Sequence, residues 1–150
     1  MARAVRERLA RLTSWLGDAL APDRGPPLAT ADAIVGLIGL GPGLTPSGDD
    51  FLVGVLAVLD ALAERKAHAA LAGAIAASPC GLTSPLSECL LRAAAAGHVG
   101  EKLHCAVSAL LSGAPGRAVA AIRNIGHSSG WDMLAGAAAA LRTVAARASV

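Results

Sequence analysis

Val5, Leu9, Leu12, Leu16 and Leu20 recur at helical spacing with arginines on the opposite face, which predicts an amphipathic first helix ended by Pro22 and a PDRGPP turn. Thr30 is the predicted N-cap of a second helix reaching about Gly39. A third should open in TPSGDD and run through FLVGVLAVLDALAER, and a fourth covers about Lys66 to Ala77, stopping at SPCG. Ser84–Pro85 starts a fifth helix, closed by Gly97. The sixth covers about Gly100 to Leu111, SGAPG breaks it, and Arg117 to Asn124 form the seventh. The eighth begins in HSSGWD and continues almost to the C-terminus. Loops this short make sequential helices mostly antiparallel neighbours.

Composition sharpens that picture. Of the 150 residues 54% are hydrophobic but only 2% aromatic, and runs of β-branched and aromatic residues are missing. A core of Ala and Leu implies helices packed closely through small side chains. The expected fold is therefore an all-α, single-domain bundle of seven or eight helices over residues 1–150, with residues 1–27 as an amphipathic helix and turn. The longest stretch free of Asp, Glu, Lys and Arg, Ala67 to Ser87, carries His68, Ser78, Pro79, Gly81 and Pro85, which is two pieces around a break rather than a membrane span. Net charge is +2, with no basic stripe interleaved with aromatics, so neither a membrane nor a nucleic acid is an expected partner. The hydropathy fits interfaces buried between subunits, in a homo-oligomer or with other chains. Cys80, Cys89 and Cys105 lack CxxC spacing, and Arg3, Arg6, Glu7, Arg8 and Arg11 interrupt any signal-peptide core, so a cytoplasmic location is expected.

Two helix starts resemble each other. Ser47-Gly48-Asp49-Asp50-Phe51-Leu52-Val53-Gly54 aligns with Ser129-Gly130-Trp131-Asp132-Met133-Leu134-Ala135-Gly136, an S-G-x-D-Φ-L-x-G pattern 82 positions apart. Ser followed three residues on by Asp approximates a capping box, and an acid in the first turn complements the helix dipole. Capping leaves the glycines unaccounted for. Gly48 and Gly130 sit early in a helix, where Gly is disfavoured against Ala, and Gly54 and Gly136 lie one turn beyond the aspartates on the same face. If the two helices cross at these stripes, their N-termini converge and Asp50 and Asp132 face one shared polar pocket.

Two ligand chemistries suit such a pocket. Helix N-termini approached by glycine-rich loops favour phosphate or carboxylate, with backbone N–H groups of Gly41, Gly43, Gly48 and Gly130, and donors from Thr45, Ser47, His127, Ser128 and Ser129. Asp49, Asp50 and Asp132 oppose an anion, and suggest instead Mg²⁺ or Mn²⁺ carrying a phosphate. The loop is no P-loop, since Asp49 rather than Lys follows Gly48. His127 beside Ser128–Ser129 suggests a Ser/His/Asp nucleophile, but there is no GxSxG elbow, so a polar contact to ligand or a second capping group is the better reading. Of Arg92, Lys102, Arg117 and Arg123, the cations nearest the motifs in sequence, Arg123 precedes the second loop by four residues and could reach a bound anion, while a solvated helix face is the favoured reading for each. His104 and Cys105 are expected at the core edge, His68 and His98 at the surface, and Trp15 and Trp131 in packing.

The pair IGLGPGLTPSGDDFLVG (38–54) and IGHSSGWDMLAG (125–136) resembles the paired motifs of the AllH-like family, long catalogued as a domain of unknown function and linked to a subunit of oxamate carbamoyltransferase. TSPLSECLLRAAAAGHVGEKLHCAVSALLSG is similar to the family's linking helices, and the likeness covers roughly residues 33 to 148. The resemblance implies work with other subunits on carbamoyl transfer between oxamate and phosphate, yielding carbamoyl phosphate in purine catabolism. It implies no catalytic residue, and the N-terminal region common in the family is not matched here. The expected function is a subunit or domain of a carbamoyltransferase-like complex that binds phosphate, carbamoyl phosphate or an oxamate-like carboxylate. The alternatives are a metal-dependent hydrolase using Asp49, Asp50 and Asp132, and a non-catalytic assembly module.

Overall fold

The computed structural model describes residues 2–21 and 30–148. Among them every regular element is a helix: α1 (Ala2–Ala19), α2 (Thr30–Val35), α3 (Ser47–Ala61), α4 (Arg65–Ala76), α5 (Pro85–Ala95), α6 (Glu101–Leu111), α7 (Pro115–Ile122) and α8 (Ser129–Ala148). The all-α bundle expected from composition is what forms. No helix is long and apolar enough to cross a membrane among the described residues.

α3 is the axis of the bundle. Leu52, Val53, Val55, Leu56, Ala57, Val58 and Leu59 are all buried, so this helix is apolar on nearly every face and must be surrounded. Its neighbours are α4, α5, α6 and above all α8. The amphipathic α1 turns Leu12, Trp15, Leu16 and Leu20 into the same core, as its spacing predicts, and packs on α8, α2 and α4. Arg147 of α8 donates to the Leu20 carbonyl oxygen at 2.5 Å and fixes the end of α1. A satellite cluster of Ala106, Ala109, Ala118 and Ile122 joins α6 to α7.

Several local expectations change. α2 stops at Val35 rather than near Gly39, because residues 36–39 turn. Gly39, at φ +73°, gives its amide to the Asp49 carboxylate at 2.8 Å instead of to a helical carbonyl. Ser47 does not cap α3, since Pro46 stands at the N-cap and no side chain bonds there. By contrast Ser84 does cap α5, accepting from the Ser87 amide at 3.1 Å. His104 and Cys105 are exposed rather than at the core edge, since α6 buries Leu103, Ala106 and Val107. Trp131 is also open, at 50% exposure, and His68 is half-buried with Nε2 unpartnered. The PDRGPP turn lies outside the described residues, as does the side chain of Thr30.

Candidate functional site

The repeated motif turns out to be a pair of crossing helices. A Cβ on Gly54 would overlap the carbonyl of Met133, 2.8 Å from its carbon, and a Cβ on Gly136 would meet Phe51 in the same way at 2.8 Å. Each glycine thus admits the backbone of the other motif, and the contact is reciprocal. The early-turn glycines repeat the device within each half. A Cβ on Gly48 would press on the Leu37 carbonyl, and one on Gly130 on the Ile122 carbonyl. All four glycines are therefore required by backbone packing, which removes them as evidence for a ligand.

The likeness extends upstream of what the motif alignment covers. Leu40 N–H bonds Leu37 O at 3.0 Å, and Gly48 N–H bonds Leu40 O at 2.9 Å. Ile125 N–H bonds Ile122 O at 2.9 Å, and Gly130 N–H bonds Ile125 O at 3.0 Å. Leu40–Gly41 thus corresponds to Ile125–Gly126, and the first loop is three residues longer than the second. That length difference conceals Gly126 from a sequence alignment. Gly41 (φ +120°) and Gly126 (φ +56°) both turn the chain back over the serine that opens the following helix.

The two N-termini converge. Thr45 Oγ1 and Ser129 Oγ are hydrogen-bonded at 2.8 Å across 84 residues of sequence. Asp50 lies beside them, 2% exposed, with Oδ2 unpartnered. Burial raises its pKa above the usual 3.8, hydrogen-bonding by Ser129 and then Thr45 opposes the rise, and the charges of Asp132 and Asp49 add to it. Asp132 is half-buried, and its own Oδ2 is buried without a partner. Each motif therefore brings a carboxyl with an unanswered acceptor to the same junction.

Asp49 behaves differently. Its Oδ1 accepts from Gly39 N–H, while Oδ2 accepts from the hydroxyls of Thr83 and Ser87, the latter at 2.6 Å. It is a buried tie between the 36–39 turn, the 83–84 segment and α5, and Thr83 and Ser87 are partners that the motif did not point to. Among the described residues no three His, Cys, Asp or Glu side chains come together as a metal site. Asp49, Asp50 and Asp132 thus do not form the Mg²⁺ or Mn²⁺ cage that their types suggest.

The remaining candidates lie around the junction. Ser47 and Gly41 are half-buried, and Gly43, His127 and Ser128 are exposed. The amides of Gly48 and Gly130 are already bonded to Leu40 and Ile125, Asp49 and Asp50 N–H to Pro46 O, and Trp131 and Asp132 N–H to Ser128 O. The first-turn donors expected to hold an oxyanion are engaged within the protein. Lys102 is directed to the Asn124 carbonyl at 3.3 Å and Arg92 to Glu88 at 2.7 Å, while Arg123 is exposed.

A helical bundle in which two like-patterned helices cross through glycines, and meet at hydroxyl- and carboxyl-bearing N-termini, is the class this fold and site define. The chain belongs to the family of the oxamate carbamoyltransferase subunit AllH, whose model matches residues 37–141, more than half of the 150 and inclusive of both motifs. No solved structure matches the chain.

Proposed function

We propose that this protein serves as a subunit of an oxamate carbamoyltransferase complex, and that the α3–α8 junction is where it binds a small carboxylated or phosphorylated metabolite. The observation that carries this reading is the meeting of Thr45, Ser129, Asp50 and Asp132 at one place, from two motifs that both fall within the matched residues. The loops over that place bring Gly41, Gly43, Ser47, His127 and Ser128 to its edge. Asp49 has a structural role in this reading. Leu86 and Leu90, exposed and one turn apart on α5, together with Leu44, supply an apolar face suited to another subunit.

The test is thermal unfolding of the full chain with phosphate, carbamoyl phosphate and oxamate, with and without Mg²⁺. A ligand at a hundredfold excess over its Kd adds roughly 2.7 kcal/mol to the folded state, a rise of about 5–10 °C for a chain of this size. A rise abolished by Asp50→Asn supports the junction as the binding place, and a rise that needs Mg²⁺ would restore a metal to the account. No rise with any ligand would leave the motifs as a device for assembling helices.

A further inference from the structure

Two of the four buried side-chain atoms that lack a hydrogen-bond partner among the described residues are Asp50 Oδ2 and Asp132 Oδ2, and both belong to the junction. A buried acceptor without a donor is costly, so it marks a place where something is missing. What is missing must donate, because a carboxylate oxygen only accepts. An oxyanion cannot do so. Nor does the junction offer an oxyanion the first-turn amides of Gly48 or Gly130. The Thr45 and Ser129 hydroxyls bond each other and Asp50, yet neither reaches Asp50 Oδ2.

We infer that Asp50 and Asp132 receive the NH₂ group of a primary carboxamide, one N–H to each unpartnered oxygen, with the acidic end of the same ligand directed outward to the loops. This rests on the proposed function, and names the end of the metabolite that each part of the site reads. A carbamoyl compound has the necessary two faces: a planar NH₂ with two diverging donors, and an anionic group on the far side. The outward half fits the loop tips, where Gly43 has open space around it and Ser128 and His127 are exposed. The paired motifs then have a chemical reason to be paired, since each helix contributes one acceptor to a group that has two donors.

The test is calorimetric titration of the full chain with three isosteres that differ only at this end: oxamate (NH₂), pyruvate (CH₃) and oxalate (O⁻). A site built to hydrogen-bond an amino group rejects analogues lacking it strongly, so oxamate should bind at least ~10-fold more tightly than either. Asp132→Ala, which removes the acceptor and is checked for an unchanged melt, should bring oxamate affinity down to that of pyruvate. Equal binding of all three would overturn the inference and leave an anion site as proposed above. Preference for oxalate would overturn it too, by reversing the orientation. If none of the three binds, both the inference and the proposed binding place fail.

Discussion

Replacing Asp49 with alanine should damage the fold far more than replacing Asp50, its neighbour in sequence. Asp49 is 1% exposed and answers three donors: the Gly39 amide at 2.8 Å, the Ser87 hydroxyl at 2.6 Å and the Thr83 hydroxyl. Alanine strands all three in a buried site. Each stranded donor costs ~1–3 kcal/mol, less where a hydroxyl can rotate to a new partner, so the sum is about 3–5 kcal/mol. Asp49→Asn keeps an acceptor for Gly39 and offers its NH₂ to hydroxyls that can accept, and should cost about 1–2 kcal/mol by the same reasoning. Asp50→Ala strands only the hydroxyl proton that the Thr45–Ser129 bond does not use, and should cost less than Asp49→Ala. Urea unfolding followed by circular dichroism measures this directly. With a slope of ~2 kcal/mol/M, Asp49→Ala should lower the midpoint by ~2 M. A drop below ~0.5 M at unchanged slope would refute the claim that Asp49 holds the 36–39 turn to α5.

The helix crossing makes a second prediction: Gly54→Ala or Gly136→Ala should each cost ~3 kcal/mol or more through overpacking against backbone, seen as a lowered urea midpoint. A loss under ~1 kcal/mol in either would mean the helices separate easily. Asp50 should also give stability a pH dependence. Its folded pKa is raised above 3.8, so the fold holds the proton more tightly than the unfolded chain does. Its contribution is therefore fully present below the unfolded value and is lost as pH rises through the folded one, and Asp50→Asn should flatten that fall in a series of urea midpoints. Finally, Leu44→Ser and Trp131→Ser lie at positions 71% and 50% exposed and should change stability by no more than ~0.5 kcal/mol, so any effect on ligand binding or assembly is read without a folding correction.

The starts of α2 to α8 lie within two residues of where caps, breaks and the two SG loops put them, because these are local signals, and α1 buries the apolar stripe that its spacing predicts. α2 was misjudged at its end for a tertiary reason: the amide that leaves the helix goes to Asp49, ten residues on. The repeated motif was legible as a repeat, and the meeting of its two copies followed from the glycine stripes. What the glycines touch was not legible, since the partner carbonyls of Met133 and Phe51 belong to the opposite copy. For the same reason Asp49 and Asp50 read alike in sequence. Only their surroundings separate a carboxylate with three donors from one whose Oδ2 has none.

The reciprocal glycine contact also restricts how the molecule can move. With the Gly54 and Gly136 backbones each seated against a carbonyl of the opposite helix, neither α3 nor α8 can slide or roll without driving a peptide group into its counterpart. The two helices behave as one rigid part, since close-packed backbones have discrete arrangements rather than a soft range. Under the proposed function, a ligand bound at the junction would not signal by shearing these helices past each other. Its arrival would instead be registered in the unequal loops 41–46 and 126–128, the longer of which carries Leu44 out to the surface.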